Sequence, residues 1–270
     1  MQPPVSRLRT LPPTAGLLLV VLFWAGNFTA TKVAFTEMGP LAFTAMRFVL
    51  GSLILWWVVR RVEGPLPALS ATKSALILAI LPIAVTAGAG ILRIEPVLRR
   101  QWIAVLVASV GVVFVLLARG GSIGVGFGIG ELFTLGAVIA WASYTLLMRY
   151  WVMPLSPLRL TAWTVYTGTP LLVLVALPQL LGTDWGAITI VGWGGLAYST
   201  LLSLVAGYII WNRAVIEVGA SRTAVFNCLV PFAAAVIAAV VLRERPAPLH
   251  IVGGVLIIAG VLVAQRRSRG

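Results

Sequence analysis

Nine apolar stretches constrain what this chain can fold into more than any other feature. Each is about 20 residues long, the length that an α-helix needs to cross the hydrocarbon core of a bilayer. Gly, Pro and charged residues mark the breaks between them, and open sheets are excluded because lipid cannot satisfy their backbone polar groups. The predicted spans are residues 14–35, 41–59, 74–92, 101–118, 129–151, 158–181, 187–211, 221–242 and 248–265.

The composition supports the same class of protein. Hydrophobic residues make up 60% of the chain and charged residues 10%, against roughly half and a quarter in soluble proteins. The sequence therefore predicts an all-α, polytopic transmembrane helical bundle, with the lipid bilayer as its partner. The net charge of +13 comes from basic residues between the apolar runs, which indicates membrane topology rather than nucleic-acid binding.

An internal repeat divides the chain in two. One set of matching positions is separated by 117 residues: Trp24 with Trp141, Lys32 with Arg149, Pro40 with Pro157, and Gly51 with Gly168. A later set is separated by 149 residues: Pro82 with Pro231, Glu95 with Glu244, and Gly111 with Gly260. The difference is one helix with its loop, because 187–215 has no counterpart in the first half. The predicted repeats are 14–118, which lacks its third helix, and 129–266, with five.

The missing helix leaves two membrane topologies open. If the basic C-terminal residues are cytoplasmic and all nine segments cross, the basic residues other than Arg47 divide into 11 inside and 8 outside. If segment 74–92 enters and returns without crossing, the division is 15 and 4. The positive-inside bias favours the second arrangement, whereas hydrophobic length favours the first. A re-entrant segment must be covered by protein.

Several stretches together resemble the EamA-type transporters of the drug/metabolite transporter superfamily. They include "FWAGNFTATK", "PLAFTAMRFVLGSL" and "GASRTAVFNCLVPFAAAVIAAVVLRERP", and the resemblance covers nearly the whole chain. It implies two inverted repeats that move small metabolites, amino acids or drugs across the inner (plasma) membrane, often outward, by alternating access. The alternatives are a degenerate copy that inserts without transporting, and a homodimer in which a partner helix completes each cavity.

Two polar residues inside predicted spans are candidates for substrate binding. Arg47 lies about 10 Å along its helix, where a charge is a functional-site hypothesis. It could attract a carboxylate or phosphate; alternatively it could extend toward the membrane surface (snorkel), or bond a backbone carbonyl and hold helices together. Asn27, in "WAGNF", could contact substrate or a neighbouring helix.

Aromatic residues are the other candidates, because aromatic faces suit amphipathic or cationic substrates. Anchoring at the membrane interface is the alternative for each of them. Some lie three residues apart and therefore share a helix face, as Trp141 does with Tyr144. The candidates are Trp24, Trp141, Tyr144, Trp163, Tyr166 and Tyr208, with Trp211 and, more weakly, Asn212 beside them.

Pro82 and Pro231 occupy matching repeat positions and are candidate hinges, or else fixed bends. No nucleophile–base arrangement is visible, so an enzyme is not predicted. The single Cys228 cannot form a disulfide or a thiolate metal site within one chain, and no cofactor or metal is predicted. No acidic residue lies at mid-span, so the sequence shows no carboxylate proton relay.

Overall fold

The structure, a computed structural model, describes residues 12–64, seven positions between 103 and 114, residues 140, 141 and 144, and residues 156–242 and 248–265. Within these ranges the chain is helical and contains no strand, so the predicted all-α class is confirmed. A 3₁₀ turn, Val225–Cys228, joins Ala220–Ala224 to Leu229–Leu242, and α5 denotes this whole stretch. The other helices are α1 (Pro13–Ala34), α2 (Pro40–Val62), α3 (Pro157–Gly182), α4 (Ile190–Val218) and α6 (Pro248–Gln265).

Helices α1 to α4 are each long and apolar enough to cross a membrane. The predicted span 187–211 was wrong at its end, because α4 continues to Val218, and Gly219 then ends it with a φ of 102°. Asn212 and Arg213 do not stop the helix. Asn212 is hydrogen-bonded inside the bundle, and Arg213 pairs with Glu217 one turn later at 2.6 Å. Span 74–92 and most of 101–118 and 129–151 lie outside the described residues.

Helices α1 and α4 run antiparallel along their length. Gly16, near the start of α1, lies against Ile210, and Gly195, near the start of α4, lies against Ala34. A Cβ atom at Gly16 would be 2.9 Å from the Ile210 Cγ2 methyl. Small residues therefore let these two backbones approach closely, as is common between membrane helices.

Helices α2 and α3 form a second antiparallel pair. Near its centre the Ser52 Oγ atom is 3.0 Å from the Thr169 Oγ1 atom. At one end the Gln179 Oε1 atom accepts hydrogen bonds from the backbone N–H groups of Leu41 and Ala42, at 2.9 and 3.2 Å. Those donors have no partner within their own helix, so Gln179 caps the start of α2.

At the other end of this pair, Glu63 contacts the start of α3. Its Oε2 atom is 3.0 Å from the Arg159 Nε atom and also accepts a hydrogen bond from the Ser156 hydroxyl. The Ser156 Oγ atom in turn accepts from the Arg159 backbone N–H at 3.1 Å, the usual N-cap arrangement. The end of α2 and the start of α3 therefore lie at the same side of the bundle.

The described arginines outside the bundle interior gather at this same side, here called the basic face. They are Arg60, Arg61, Arg159, Arg213 and Arg222. The positive-inside bias predicts that the basic face is cytoplasmic. The antiparallel pairs and short connections place the start of α1 and the end of α6 at this face. That placement agrees with the 15-to-4 distribution of basic residues, although segment 74–92 lies outside the described residues.

Two apolar clusters hold the helices around the interior. The first joins α1, α4, α5 and α6 through residues that include Leu17, Val20, Phe226 and Ile257. The second joins α2, α3 and α4 through residues that include Leu55, Val59, Val165 and Leu204. Helix α4 belongs to both clusters, so side chains in its middle lie between them.

Both ends of the chain should be labelled from the same side of the membrane. In a Cys228→Ser background, single cysteines replace Val5 or Ser268. An impermeant maleimide should label neither position in intact cells and both after permeabilisation, because α1 begins and α6 ends at the basic face. Labelling of only one of them in intact cells would contradict this topology.

The Glu63–Arg159 pair should stabilise the fold measurably. Both side chains are about three-quarters buried, so we expect Glu63→Gln to cost about 1–2 kcal/mol in thermal unfolding of the detergent-solubilised protein. The Arg213–Glu217 pair, which lies within one helix and is more exposed at 31% and 39%, supplies the control, and Glu217→Gln should cost at most about 0.5 kcal/mol. The exchange of Glu63→Arg with Arg159→Glu should recover most of the loss, since it also suits the helix dipoles.

Candidate functional site

Five aromatic side chains meet midway along α1 and α4, and they form what is here called the aromatic cluster. Its members are Trp24, Trp141, Tyr144, Tyr208 and Trp211. Neighbouring ring centroids are 5.1 Å apart for Trp24 and Trp211, and 5.5 Å apart for Trp141 and Tyr208. These distances fall in the range of favourable aromatic pairs. The structure thus brings together four of the predicted site residues and Trp211.

The part of α4 beside this cluster is a π-helix, Ser199–Ala206. The Trp24 indole N–H donates a hydrogen bond to the Ser203 carbonyl oxygen at 3.0 Å. Gly207 follows, and a Cβ atom there would lie 2.9 Å from the Trp24 Nε1 atom. The π conformation is rare and frequent at functional sites, and no sequence signal had pointed to it.

Asn212 connects the aromatic cluster to α3. Its Oδ1 atom accepts a hydrogen bond from the Tyr144 hydroxyl at 3.0 Å, and its Nδ2 group donates to the Thr161 Oγ1 atom at 2.8 Å. Thr161 donates to the Pro157 carbonyl oxygen. Asn212 is fully buried, and both of its side-chain polar atoms are bonded within the protein. Its spacing of four residues from Tyr208 could have placed both on one helix face.

Arg47 lies beside the aromatic cluster. Its side chain lies close to that of Tyr208, and its guanidinium carbon is 5.9 Å from the centre of the Phe48 ring. Its Nε atom is buried without a hydrogen-bond partner. Among the described residues Arg47 bonds neither a carboxylate nor a backbone carbonyl, so the helix-holding alternative finds no support there.

Further buried polar atoms on α1, α3 and α4 also have no hydrogen-bond partner. They are the Asn27 Oδ1, Trp163 Nε1, Tyr166 hydroxyl, Ser199 Oγ and Trp211 Nε1 atoms, together with the Arg159 Nε atom, which is 3.0 Å from the Glu63 carboxylate. On α6 the His250 Nδ1 atom is also unpaired. More than nine in ten buried polar groups in proteins are normally paired. Asn27 lies one turn from Trp24, so its face of α1 carries both a cluster member and an unpaired acceptor. Such atoms mark positions where water or a ligand would complete the bonding.

Trp163 and Tyr166 lie apart from the aromatic cluster. Their rings are 6.3 Å apart on α3, and Tyr166 borders an open groove of about 530 Å³. Ser52, Thr169, Pro170, Val173 and Leu174 line the rest of it. Tyr166 and Tyr208 nevertheless pack against the same apolar cluster between α2, α3 and α4. The predicted site residues therefore fall into two neighbouring groups.

Pro231 follows the 3₁₀ turn in α5. Proline has no N–H, and its ring crowds the carbonyl four residues earlier, here that of Asn227, so the helix is irregular at this point. The matching Pro82 lies outside the described residues. Helix α3 contains two further prolines, Pro170 and Pro178, which the sequence analysis did not single out.

The fold and its interior polar atoms define a polytopic helical membrane protein with a candidate binding site between its helices. The EamA-like transporter family matches residues 128–265. The chain is also 30% identical over 260 residues to an uncharacterized transporter, YyaM, of Bacillus subtilis, which covers 93% of this chain and 80% of that protein. The chain therefore belongs to the EamA-like transporter family and is a multi-pass membrane transporter.

Other similar proteins carry names that describe export. A probable amino-acid metabolite efflux pump of Salmonella typhimurium is 26% identical over 91% of this chain and 92% of that protein. A probable terminal-alkyne amino-acid exporter of Streptantibioticus cattleyicolor is 32% identical over 49% of this chain and 42% of that protein. One solved crystal structure shares the fold, with a TM-score of 0.70 at 16% identity, over 94% of this chain and 96% of that chain.

Two asparagines test which interior polar groups stabilise the fold. Asn212→Leu leaves the Tyr144 and Thr161 side chains without their partner, and we expect a loss of about 2–3 kcal/mol in thermal unfolding. Asn27→Leu removes an oxygen that has no hydrogen-bond partner, so unfolding should change by less than about 1 kcal/mol. Equal losses in the two variants would show that the bonding pattern does not determine stability.

Proposed function

We propose that the protein exports small metabolites, with amino acids and their derivatives as the first candidates, across the inner (plasma) membrane. The observation that carries this proposal is the aromatic cluster together with the unpaired polar atoms of Asn27, Arg47 and Trp211 near it. Aromatic faces and a few polar groups are the usual lining of a small-molecule site. The substrate would contact residues from both groups of the site: Trp24, Asn27, Arg47, Trp141, Tyr144, Trp163, Tyr166 and Tyr208.

The pairing of α2 with α3 supports the division into two inverted repeats, 14–118 and 129–266. Ser52 and Thr169 are separated by 117 residues, the same spacing as between Pro40 and Pro157. Two matching positions that touch each other in an antiparallel pair lie next to a two-fold axis. The contacts at the two ends of the pair agree with a two-fold relation. The Gln179 side chain, near the end of α3, caps the start of α2, and the Glu63 side chain, at the end of α2, contacts the start of α3. The position that matches Glu63 is 180, next to Gln179.

We propose that transport proceeds by alternating access. Transporters with inverted repeats rock one repeat against the other around a fixed midplane site. The Ser52–Thr169 contact would lie near the pivot of that motion. The Gln179 contact would close one face of the bundle and the Glu63–Arg159 pair would close the basic face, so that one opens while the other stays formed. Pro231, and Pro82 in the first half, would serve as hinges.

The names of the similar proteins support export as the direction. The sequence also favours a competing proposal, a non-transporting copy, because the first half lacks a counterpart of 187–215. A homodimer in which a partner helix fills that position would restore transport. Cross-linking in native membranes distinguishes these cases: a transporting monomer excludes the dimer, and a dimer without flux favours the non-transporting copy.

Flux in proteoliposomes tests the proposed function. Purified protein is reconstituted, and saturable counterflow of radiolabelled amino acids is measured. Trp24→Ala removes a cluster member and should lower flux at limiting substrate about tenfold or more, which corresponds to the loss of one aromatic contact. Trp193→Ala, in the same protein, is the control. Trp193 stacks on Trp185 far from the cluster, so its replacement should leave flux within about twofold.

If Trp24→Ala and Trp193→Ala reduce saturable flux equally, the aromatic cluster is not part of the substrate site. No saturable flux of any amino acid by the wild-type protein would contradict the proposed substrate class.

A further inference from the structure

Arg47 differs from the other described arginines in its surroundings. Arg159 and Arg213 pair with carboxylates, whereas Arg60 and Arg61 stack on Trp56 and Trp57 at the end of α2. Arg47 lies about 10 Å into its helix, half-buried beside Tyr208 and Phe48. A charge within the hydrocarbon region is costly and needs a counter-charge or hydrogen bonds. The described part of the chain supplies neither to Arg47.

We propose that Arg47 binds the carboxylate of the transported molecule, an inference that rests on the proposed function. A guanidinium matches a carboxylate through two parallel hydrogen bonds. The single positive charge of Arg47 is balanced by one carboxylate, whereas a phosphate dianion would bring two negative charges to one guanidinium. The substrate class is therefore a small organic carboxylate.

The surroundings of Arg47 also indicate the chemistry of the rest of the transported molecule. Tyr208 connects Arg47 to the aromatic cluster, with its ring 5.5 Å from Trp141 and 6.3 Å from Trp24. A carboxylate at Arg47 would therefore carry its body along aromatic faces, which favours an apolar side chain. One turn from Trp24, the unpaired Asn27 Oδ1 atom can only accept a hydrogen bond. It suits an ammonium or amide N–H on the same substrate.

Binding measurements on the purified protein test this assignment without requiring transport. The probes are L-leucine and L-phenylalanine, each compared with its methyl ester, which keeps the amine and the side chain but has no carboxylate charge. The readout is quenching of tryptophan fluorescence, because Trp24, Trp141 and Trp211 lie at the site. We expect at least one acid to bind and its ester to bind roughly 10- to 100-fold more weakly.

Variants locate the effect at one residue. Arg47→Gln should weaken binding of the acid to the level of the ester and leave the ester unchanged. Arg47→Lys keeps the charge but loses the planar fork, and it should weaken the acid about tenfold. Arg60→Gln is the control, since it makes the same chemical change at the basic face, and it should bind like the wild-type protein. Thermal unfolding without ligand shows whether each variant is folded.

The outcomes separate the two proposals. An ester that binds as well as its acid, or an Arg47→Gln variant that keeps the preference for the acid, overturns the carboxylate assignment and leaves export intact. Competition by inorganic phosphate at comparable concentration would replace the carboxylate with a phosphate substrate. Saturable transport of a compound without a carboxylate would also overturn the carboxylate assignment. A wild-type protein that binds neither acids nor esters would overturn the carboxylate assignment and the proposed amino-acid substrates together.

Discussion

A polar atom within the hydrocarbon core must find its partner inside the protein, because lipid provides none. The structure follows this constraint at the backbone by forming helices and at the side chains by forming a few specific bonds. Asn212 joins Tyr144 to Thr161, and the Trp24 indole reaches a carbonyl of the π-helix in α4. Some buried polar atoms of the described residues have no such partner. Those of Asn27 and Trp211 lie on the helices that carry the aromatic cluster, those of Trp163 and Tyr166 lie in the neighbouring group on α3, and the His250 Nδ1 atom lies on α6. In the proposed function, the first two groups lie where the substrate binds.

The pair of helices α2 and α3 carries the proposed mechanism of exposure to either side. Its central contact joins Ser52 to Thr169, and its two ends are closed by different chemistry, an amide at Gln179 and a carboxylate at Glu63. The capping amide carries no net charge, whereas an ion pair weakens as ionic strength rises. Under the proposed alternating access, the two faces of this pair would therefore open with different energies.

Membership of the EamA-like transporter family and the position of Arg47 address different levels of function. The family establishes that the chain is a membrane transporter, and the similar proteins include named exporters of amino-acid compounds. The proposed substrate rests on what the described interior residues offer: Arg47, the Asn27 Oδ1 atom and several aromatic faces. The proposal narrows the substrate to a small carboxylate with an apolar body, a smaller class than the family itself.

The sequence by itself determined the all-α membrane class, the family resemblance and most helix limits. The predicted spans 14–35, 41–59, 158–181 and 248–265 agree with α1, α2, α3 and α6 within three residues. This succeeded because hydrophobic length is a local property. Only the tertiary structure decided that Asn212 is bonded while Asn27 has an unpaired oxygen, and that α4 contains a π-helix. Both depend on what the neighbouring helix presents at the same depth, and a single chain segment carries no record of its neighbour.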